Sequence, residues 1–181
     1  SACDEELKAI GRIHTMEQVR QAVEAARKAK LRNLSLDLIY GLPRQTQERW
    51  MENLSAAVAL NPEHLSCYGL KVEEGTPLFA VKDTAGLPGD EEQADMYLQT
   101  VEFLKQYGYV QYEISNFARP GYESRHNLKY WQLQEYAGFG PGAHSDFGGV
   151  RYAYAKDLDA YIAAARGGQF LFSENTAIPP R

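Results

Sequence analysis

The stretch Asn33-Leu-Ser-Leu-Asp-Leu-Ile-Tyr-Gly-Leu-Pro-Arg-Gln-Thr46 decides the fold, because it has the pattern of a strand that stops abruptly and passes into a helix. The two-residue period of a strand divides its side chains between two faces, with Leu34, Leu36 and Leu38 on one and Ser35, Asp37 and Ile39 on the other. Gly41-Leu-Pro43 ends the strand and a helix-periodic stretch follows. This order is typical of the first half of a βαβ unit.

Asp37 is the unusual residue of this strand, since a carboxylate stands among residues that otherwise have a buried pattern. In barrels built from βα units, polar side chains near the carboxyl ends of strands hold ligands. The other interpretation is a structural aspartate that caps a neighbouring loop. Strand geometry alone does not separate the two.

The periodic segments on either side predict a parallel crossover. A helix is predicted from Thr15, which forms a capping-box pattern with Gln18 ahead of apolar residues at helical spacing. Thr46 caps a second helix that stops at Asn61-Pro62, and a strand follows at about 64–72. Roughly 30 residues with a helix between them separate the two strands, which is the length of a right-handed parallel crossover.

Later segments are less regular. A third helix is predicted from Asp90 to about Gly108, then a strand at Tyr109–Ser115, and a last helix at Asp157–Arg166, whereas turns and glycines dominate between. Two clear βα strands are too few to close a barrel, which takes about eight in its full form. Both ends also look cut, with Ala177-Ile-Pro-Pro-Arg181 lacking a domain-ending element, so we expect a fragment or a partial barrel.

Composition bounds the function. The chain has 181 residues, of which 44% are hydrophobic and 24% charged, enough for one real core. Its formal charge of -5 argues against a nucleic-acid backbone or an anionic membrane as the main partner. Cys3 and Cys67 are far apart, without the spacing of a disulfide framework or a zinc site. With no signal segment and no apolar run of about 18 residues, we expect a cytoplasmic protein.

A second constellation is His126-Asn-Leu-Lys-Tyr-Trp131. In a helix, His126 and Tyr130 would lie one turn apart on one face. An imidazole beside large aromatic faces suits the axial ligand and wall of a flat, π-rich ligand such as a porphyrin. The competing interpretation is a core histidine satisfied by a backbone carbonyl.

Three further patterns have ordinary structural explanations. Gly138-Phe-Gly-Pro-Gly-Ala-His-Ser145 lacks the spacing of phosphate loops, and its glycines more simply let the backbone pass close to another strand or to a ligand. The acidic runs Glu73-Glu74 and Asp90–Glu92 fit solvated caps better than acid/base pairs. Arg12 lies just before the first capped helix, where its guanidinium could bind a carboxylate. The alternative is an ordinary surface arginine.

Six blocks spread in order over nearly the whole chain resemble the oxygen-independent coproporphyrinogen III oxidase family of radical S-adenosylmethionine (radical SAM) proteins, and they are most similar to its haem-chaperone branch. These blocks are Gly11–Thr15, Ser35–Thr46, Asn61–Ser66, Gly108–Tyr109, Tyr112–Gly121 and His126–Trp131. The resemblance covers only a middle slice of the family's length.

The resemblance implies an α/β fold, a partial (βα)6 TIM-like barrel with a four-iron (4Fe-4S) cluster held by a Cys-x-x-x-Cys-x-x-Cys loop. That loop is absent from this sequence, and neither Cys3 nor Cys67 belongs to it. The chain would supply the fifth and sixth strands. By the same resemblance Arg12 and Asp37 contact S-adenosylmethionine, Arg12 through the ligand's carboxylate and Asp37 through its ammonium and ribose hydroxyls.

The His-Asn-x-x-Tyr-Trp form is linked to haem binding in the chaperone branch, whereas oxidases proper carry an Arg-Asn-Phe-Gln-Gly-Tyr type sequence there. The resemblance therefore implies His126 as the haem-iron ligand, with Tyr130 and Trp131 flanking the porphyrin. The implied partners are haem or a porphyrin and haem-accepting target proteins, including membrane-associated ones, and a homodimer of the full-length protein is also compatible with it.

Three classes of function follow. The first is a haem-chaperone-like radical SAM protein, and the second is an oxidase that oxidatively decarboxylates propionate side chains of coproporphyrinogen III. The third, a (βα) barrel hydrolase, needs paired carboxylates on strand ends, and only Asp37 qualifies. We expect residues 1–110 to form the C-terminal part of the radical SAM barrel and 111–181 an accessory α+β segment of the same domain. This chain alone is expected to carry no cluster and no radical activity.

Overall fold

The computed structural model describes residues 1–178, which divide into two compact units, Ser1–Glu123 and the residues from Ser124 onward. The elements of the first unit are α1 Asp4–Ala9, α2 Met16–Lys28, β1 Ser35–Tyr40, α3 Gln47–Ala59, β2 His64–Gly69, α4 Pro77–Ala80, α5 Asp90–Gln106, β3 Val110–Gln111 and β4 Asn116–Ala118. Those of the second are α6 Arg125–Trp131, β5 His144–Phe147, β6 Val150–Tyr154, α7 Leu158–Arg166 and β7 Phe172–Ala177. The end of the stretch 177–181 lies outside the described residues.

The first unit is built on a parallel strand pair. β1 pairs with β2 in parallel from Ser35 opposite His64 to Tyr40 opposite Gly69, and α3 makes the connection between them. The strand order is β1-β2-β4-β3, with β4 antiparallel to both of its neighbours. The predicted α/β arrangement is confirmed at this level.

Local sequence signals start the two long helices next to β1. The Gln18 backbone N–H donates to Thr15 Oγ1 (3.3 Å) while the Thr15 N–H donates to Gln18 Oε1 (2.9 Å), which completes the predicted capping box of α2. At α3 the Arg49 N–H donates to Thr46 Oγ1 (3.2 Å). Both caps satisfy backbone donors that a helix start leaves open.

The core lies where α3 and α5 pack on one face of the sheet. Its buried members are Leu38, Trp50, Leu54, Ala57, Leu65, Cys67, Met96, Leu104, Tyr109 and Phe117. Trp50 is completely buried, and its indole Nε1 donates to Thr100 Oγ1 (2.7 Å) and to the Met96 carbonyl (3.2 Å). The polar end of this large side chain is therefore satisfied inside the core.

The predicted strand Tyr109–Ser115 is wrong. Only Val110–Gln111 is strand, and a turn then reverses the chain into β4, so that Gln111 pairs with Phe117. Side chains close the turn: the Ser115 N–H donates to Glu113 Oε2 (3.2 Å), and Gln111 Nε2 donates to the Ile114 carbonyl (3.1 Å). Such local bonds compete with an extended ladder.

The second unit contains a three-stranded antiparallel sheet of order β5-β6-β7 and two helices. Asp157 caps α7 by accepting from the Ala160 N–H (2.8 Å). Gly138 passes close to β5, because a Cβ built there would clash with the His144 carbonyl oxygen. The predicted role of this glycine, close backbone approach, is confirmed. The domain boundary predicted after residue 110 stays a prediction.

Candidate functional site

Arg12 and Asp37 line one cavity of about 470 Å³ in the first unit. Arg12 lies in the turn between α1 and α2, where its N–H donates to the Leu7 carbonyl (2.8 Å). Four consecutive β1 residues, Leu36 to Ile39, line the same cavity. Leu36 and Leu38 project to one face of β1 and Asp37 and Ile39 to the other, so residues of both faces of the strand line this cavity.

Two opposite charges in this cavity have no partner. Neither the Arg12 guanidinium nor the Asp37 carboxylate makes a hydrogen bond or an ion pair with any residue in the described part of the chain, and both side chains are exposed. The strand around Asp37 has a buried pattern in sequence, but within residues 35–40 only Leu38 is fully buried and Asp37 is exposed. Leu38 packs into the core beside α3, so Asp37 projects from the opposite face of an edge strand.

The face of the sheet that carries Asp37 is polar. His64, on β2, is buried; its Nδ1 lies 2.8 Å from Ser35 Oγ and its Nε2 lies 2.7 Å from the Tyr112 hydroxyl. Burial lowers the pKa of His64, while the carboxylates of Asp37 and Glu113 act in the opposite direction. A neutral imidazole with both nitrogens engaged is a fixed structural element of this face.

Cys67 lies on the opposite, core face of β2, between two residues of the polar face. Burial raises the pKa of its thiol to about 12, with a smaller contribution from the negative charge of Asp37. The thiol is therefore protonated and unreactive at neutral pH.

The second candidate site is in the second unit, on α6. Ser124 caps this helix, since its Oγ accepts from the Asn127 N–H (3.3 Å). His126 and Tyr130 both lie within the helix and are one turn apart, as predicted. His126 is exposed, and its Nε2 lies 3.0 Å from the Tyr130 hydroxyl. The interpretation of His126 as a core histidine bonded to a backbone carbonyl is wrong.

The imidazole of His126 lies beside one aromatic ring, and other aromatic side chains of the second unit are exposed. Tyr130 meets His126 edge to face with ring centroids 5.0 Å apart, and Tyr136 meets Tyr130 at 4.6 Å. Trp131 has 52% of its surface exposed and Phe139 has 88%. The site is thus an exposed imidazole beside the Tyr130 ring, with Trp131 on the same helix, and these side chains could contact a flat apolar ligand from solvent.

The predicted site residues thus form two groups. Arg12 and Asp37 line one cavity of the first unit, whereas His126 and Tyr130 are in contact in the second, with Trp131 next along the helix. Sequence reasoning missed His64, Ser66 and Asn116, which share the face of Asp37. The available signal was the alternation of polar residues from His64 to Ser66 inside a strand.

Residues 1–178 contain neither a candidate membrane-spanning helix nor a candidate metal site. No helix there has the length and apolar character to cross a membrane. No group of three His, Cys, Asp or Glu side chains there is arranged to hold a metal ion.

The chain is similar in sequence to several proteins named heme chaperone HemW. The chain is 41% identical over 161 residues to heme chaperone HemW of Bacillus subtilis, which covers 88% of this chain and 42% of the relative. It is 42% identical over 144 residues to heme chaperone HemW of Escherichia coli, covering 80% of this chain and 38% of the relative. The chain thus spans about two fifths of the length of these curated relatives. No protein-family model matches it.

The structure agrees as well. It superposes on the radical SAM enzyme coproporphyrinogen III oxidase (HemN) of Escherichia coli with a TM-score of 0.80 and 24% identity, over 98% of this chain and 44% of the other. That likeness establishes the fold of the matched part, and the HemW relatives establish the lineage. Radical S-adenosyl methionine domain-containing protein 1 of Danio rerio is 39% identical to the chain over 143 residues, which covers 78% of this chain and 32% of the relative. The chain belongs to the radical SAM family, in the branch that contains HemW.

Proposed function

We propose that the full-length protein binds S-adenosylmethionine and haem and acts as a haem-chaperone-like radical SAM protein in the cytoplasm, passing haem to target proteins. The observation that carries the proposal is an exposed imidazole, His126, in contact with the aromatic ring of Tyr130 in a chain whose relatives are named heme chaperones. Oxidase chemistry on coproporphyrinogen III is the alternative, and it has the weaker support, because the HemN likeness concerns the fold alone.

The fold supports a place for this chain at the end of a barrel. β1 and β2 are parallel neighbours connected by α3, as consecutive strands of a (βα) barrel are. We assign them as the fifth and sixth strands of a partial six-stranded barrel. Asp37 then projects to the face opposite the helix layer, where barrels of this kind hold their ligands.

The Arg12 cavity fits S-adenosylmethionine by charge. The ligand has a carboxylate for the Arg12 guanidinium, and an ammonium and ribose hydroxyls for the Asp37 carboxylate. Both groups lack any partner among residues 1–178, so binding need not break an existing ion pair. The bound cofactor and a 4Fe-4S cluster together supply homolytic chemistry, and the part of these residues is to bind and orient.

The α6 site fits haem by ligand type. A neutral imidazole is a common axial ligand of haem iron, and Tyr130 and Trp131 offer aromatic faces for the porphyrin. His126 Nε2 already faces the Tyr130 hydroxyl at 3.0 Å, so ligation through this nitrogen requires the hydroxyl to move away. Because both side chains are exposed, water can replace that bond at small cost.

The haem assignment is tested in the full-length protein with His126→Ala. Titration with haem should lose the shift of the Soret band, while the thermal midpoint stays nearly unchanged because the side chain is exposed. His144→Ala removes another exposed imidazole of the second unit and should bind haem normally. Retained haem binding in His126→Ala would remove the proposed ligand.

The cofactor assignment is tested separately by equilibrium dialysis with labelled S-adenosylmethionine. Arg12→Gln and Asp37→Asn should each weaken binding about tenfold or more, as expected for hydrogen bonds to charged groups. Arg20→Gln is the matched control, since Arg20 is an exposed arginine of α2 paired only with Glu17. Anaerobic turnover of coproporphyrinogen III by the reconstituted protein would instead favour the oxidase.

A further inference from the structure

Three polar residues form a row across the first sheet. Asp37 on β1 is the register partner of Ser66 on β2, and Ser66 is in turn the partner of Asn116 on β4. Directly paired residues project to the same face of a sheet. Asp37, Ser66 and Asn116 therefore lie side by side on the polar face, and we refer to them as the polar row.

Most hydrogen-bonding groups of the polar row have no partner. The Asp37 carboxylate and the Ser66 hydroxyl have no hydrogen-bond partner among residues 1–178, and Ser66 is 4% exposed. Asn116 is 5% exposed; its Nδ2 donates to Glu113 Oε1, and its Oδ1 is buried without a partner. It is the single buried side-chain atom of this kind in the described part of the chain.

The neighbouring row on the same face is different. Ser35 is the register partner of His64, and these two side chains and Tyr112 form a continuous hydrogen-bonded chain with distances of 2.8 and 2.7 Å. Polar side chains on this face can therefore satisfy one another, so the unpaired groups of Asp37, Ser66 and Asn116 need another explanation. A buried acceptor without a partner is costly and uncommon in folded proteins, which points to a bound group as its missing partner.

The polar row is continuous with the cavity of Arg12. Asp37 belongs to both, and Ile39 and Tyr68, the register partners two residues further along the same face, also line the cavity. A ligand held between Arg12 and Asp37 can therefore extend over the sheet toward Ser66. The row spans two strand spacings, about 10 Å in all.

The chemistry of the row selects the ligand group. It offers a carboxylate, a hydroxyl and an amide carbonyl, and the carboxylate of Glu113 lies beside it. Such a surface accepts hydrogen bonds from cationic or neutral N–H and O–H donors and repels carboxylates. The propionates of a porphyrin are thereby excluded, whereas S-adenosylmethionine carries an ammonium, two ribose hydroxyls and an adenine amino group.

We infer that Ser66 and Asn116 are further S-adenosylmethionine-binding residues, which accept hydrogen bonds from donor groups of the cofactor next to those held by Asp37. The inference rests on the proposed function, since it extends the cofactor site of Arg12 and Asp37. It gives the unpaired Asn116 Oδ1 a hydrogen-bond donor from the bound cofactor.

The test is the dissociation constant of labelled S-adenosylmethionine with the full-length protein. Ser66→Ala and Asn116→Ala should each weaken binding about three- to tenfold, the range of a single hydrogen bond. Ser66→Ala should leave the thermal midpoint nearly unchanged, because the hydroxyl has no partner to lose within residues 1–178. Haem titration of both variants should match the unsubstituted protein.

Ser35→Ala is the matched control, because it removes a hydroxyl from the same face that is already bonded to His64. It should lower the thermal midpoint and leave cofactor binding within twofold. If Arg12→Gln weakens binding while Ser66→Ala and Asn116→Ala do not, the row is structural and only this inference is overturned. If Arg12→Gln, Asp37→Asn and both row variants all bind normally, the cofactor site itself is wrong.

Discussion

Replacing Tyr130 by Phe should tighten haem binding, although it removes a polar group next to the iron ligand. The Tyr130 hydroxyl lies 3.0 Å from His126 Nε2, and it donates when that nitrogen carries no proton, which is also the form that ligates iron. Haem competes with this hydrogen bond for one lone pair. The phenylalanine ring keeps the edge-to-face contacts with His126 and Tyr136 and removes the competitor.

The expected gain in haem affinity is small because the side chains of Tyr130 and His126 are both exposed to water. Tyr130 is 42% exposed and His126 is exposed as well, so water competes for both groups. The net value of the bond is then at the low end for a hydrogen bond, about 0.5–1 kcal/mol. Because apparent affinity scales with the fraction of binding-competent imidazole, this corresponds to about two- to fivefold tighter binding.

The assay is a Soret titration of the full-length protein at fixed pH. Tyr136→Phe is the control, since its hydroxyl makes no hydrogen bond within residues 1–178 and its ring contacts Tyr130 in the same way. Unchanged or weaker haem binding in Tyr130→Phe would refute the reasoning. Weaker binding in particular would mean that the hydroxyl orients the ring while Nδ1 ligates the iron.

Three other predictions concern stability. Trp50→Ala should lower the free energy of unfolding by about 3–5 kcal/mol, because the indole is fully buried and bonded to Thr100; a loss below about 1 kcal/mol in urea denaturation would contradict this. Thr15→Ala should cost about 1 kcal/mol by the same assay, since it removes the cap that accepts from Gln18. Cys67 stabilises the fold fully below pH 9 and loses that contribution as the pH rises toward about 12, because the unfolded chain releases the thiol proton first. About 1 kcal/mol should be gone at pH 10, and Cys67→Ala should lack this part of the alkaline loss.

The regular part of the first unit was predictable because several local signals agree there. The cap at Thr46, the apolar spacing of α3 and the stop at Asn61-Pro62 fix a helix whose length suits a parallel crossover. The stretch 109–115 failed because its residues favour a strand, whereas the bonds formed by Glu113 and Gln111 close a turn. Those bonds form only where the chain turns back on itself, and strand propensity contains no information about such a turn.

The hairpin of the second unit had a readable signal. Gly148 and Gly149 separate β5 from β6 and have φ values of 64° and 74°, the left-handed conformation that a two-residue hairpin turn requires. A glycine pair between aromatic and β-branched residues predicts such a turn.

The candidate sites depend on information that no local pattern contains. Arg12 reaches the cavity of Asp37 because its N–H bonds back to Leu7, which folds the turn after α1 toward the edge of β1. Asn116 faces Ser66 only in the observed register, since a slip of one residue would move it to the apolar face. Chain reversal and register are tertiary facts, so Asp37 was found from sequence and its neighbours in the row were not.

The contrast between buried amides in the first unit argues that the polar row is built for a ligand. Asn53 is 1% exposed and uses both ends of its amide, since Nδ2 donates to Glu6 (2.8 Å) and Oδ1 accepts from the Ala2 N–H (2.6 Å). Gln45 is likewise satisfied at both ends. Asn116 has the same burial and leaves Oδ1 without a partner. The bond from Asn116 Nδ2 to Glu113 accounts for one end of the amide, but stability gives no reason for the buried, unpaired acceptor at the other end. The Asn116 Oδ1 acceptor, next to Ser66 and Asp37, is explained if S-adenosylmethionine donates the missing hydrogen bond to it.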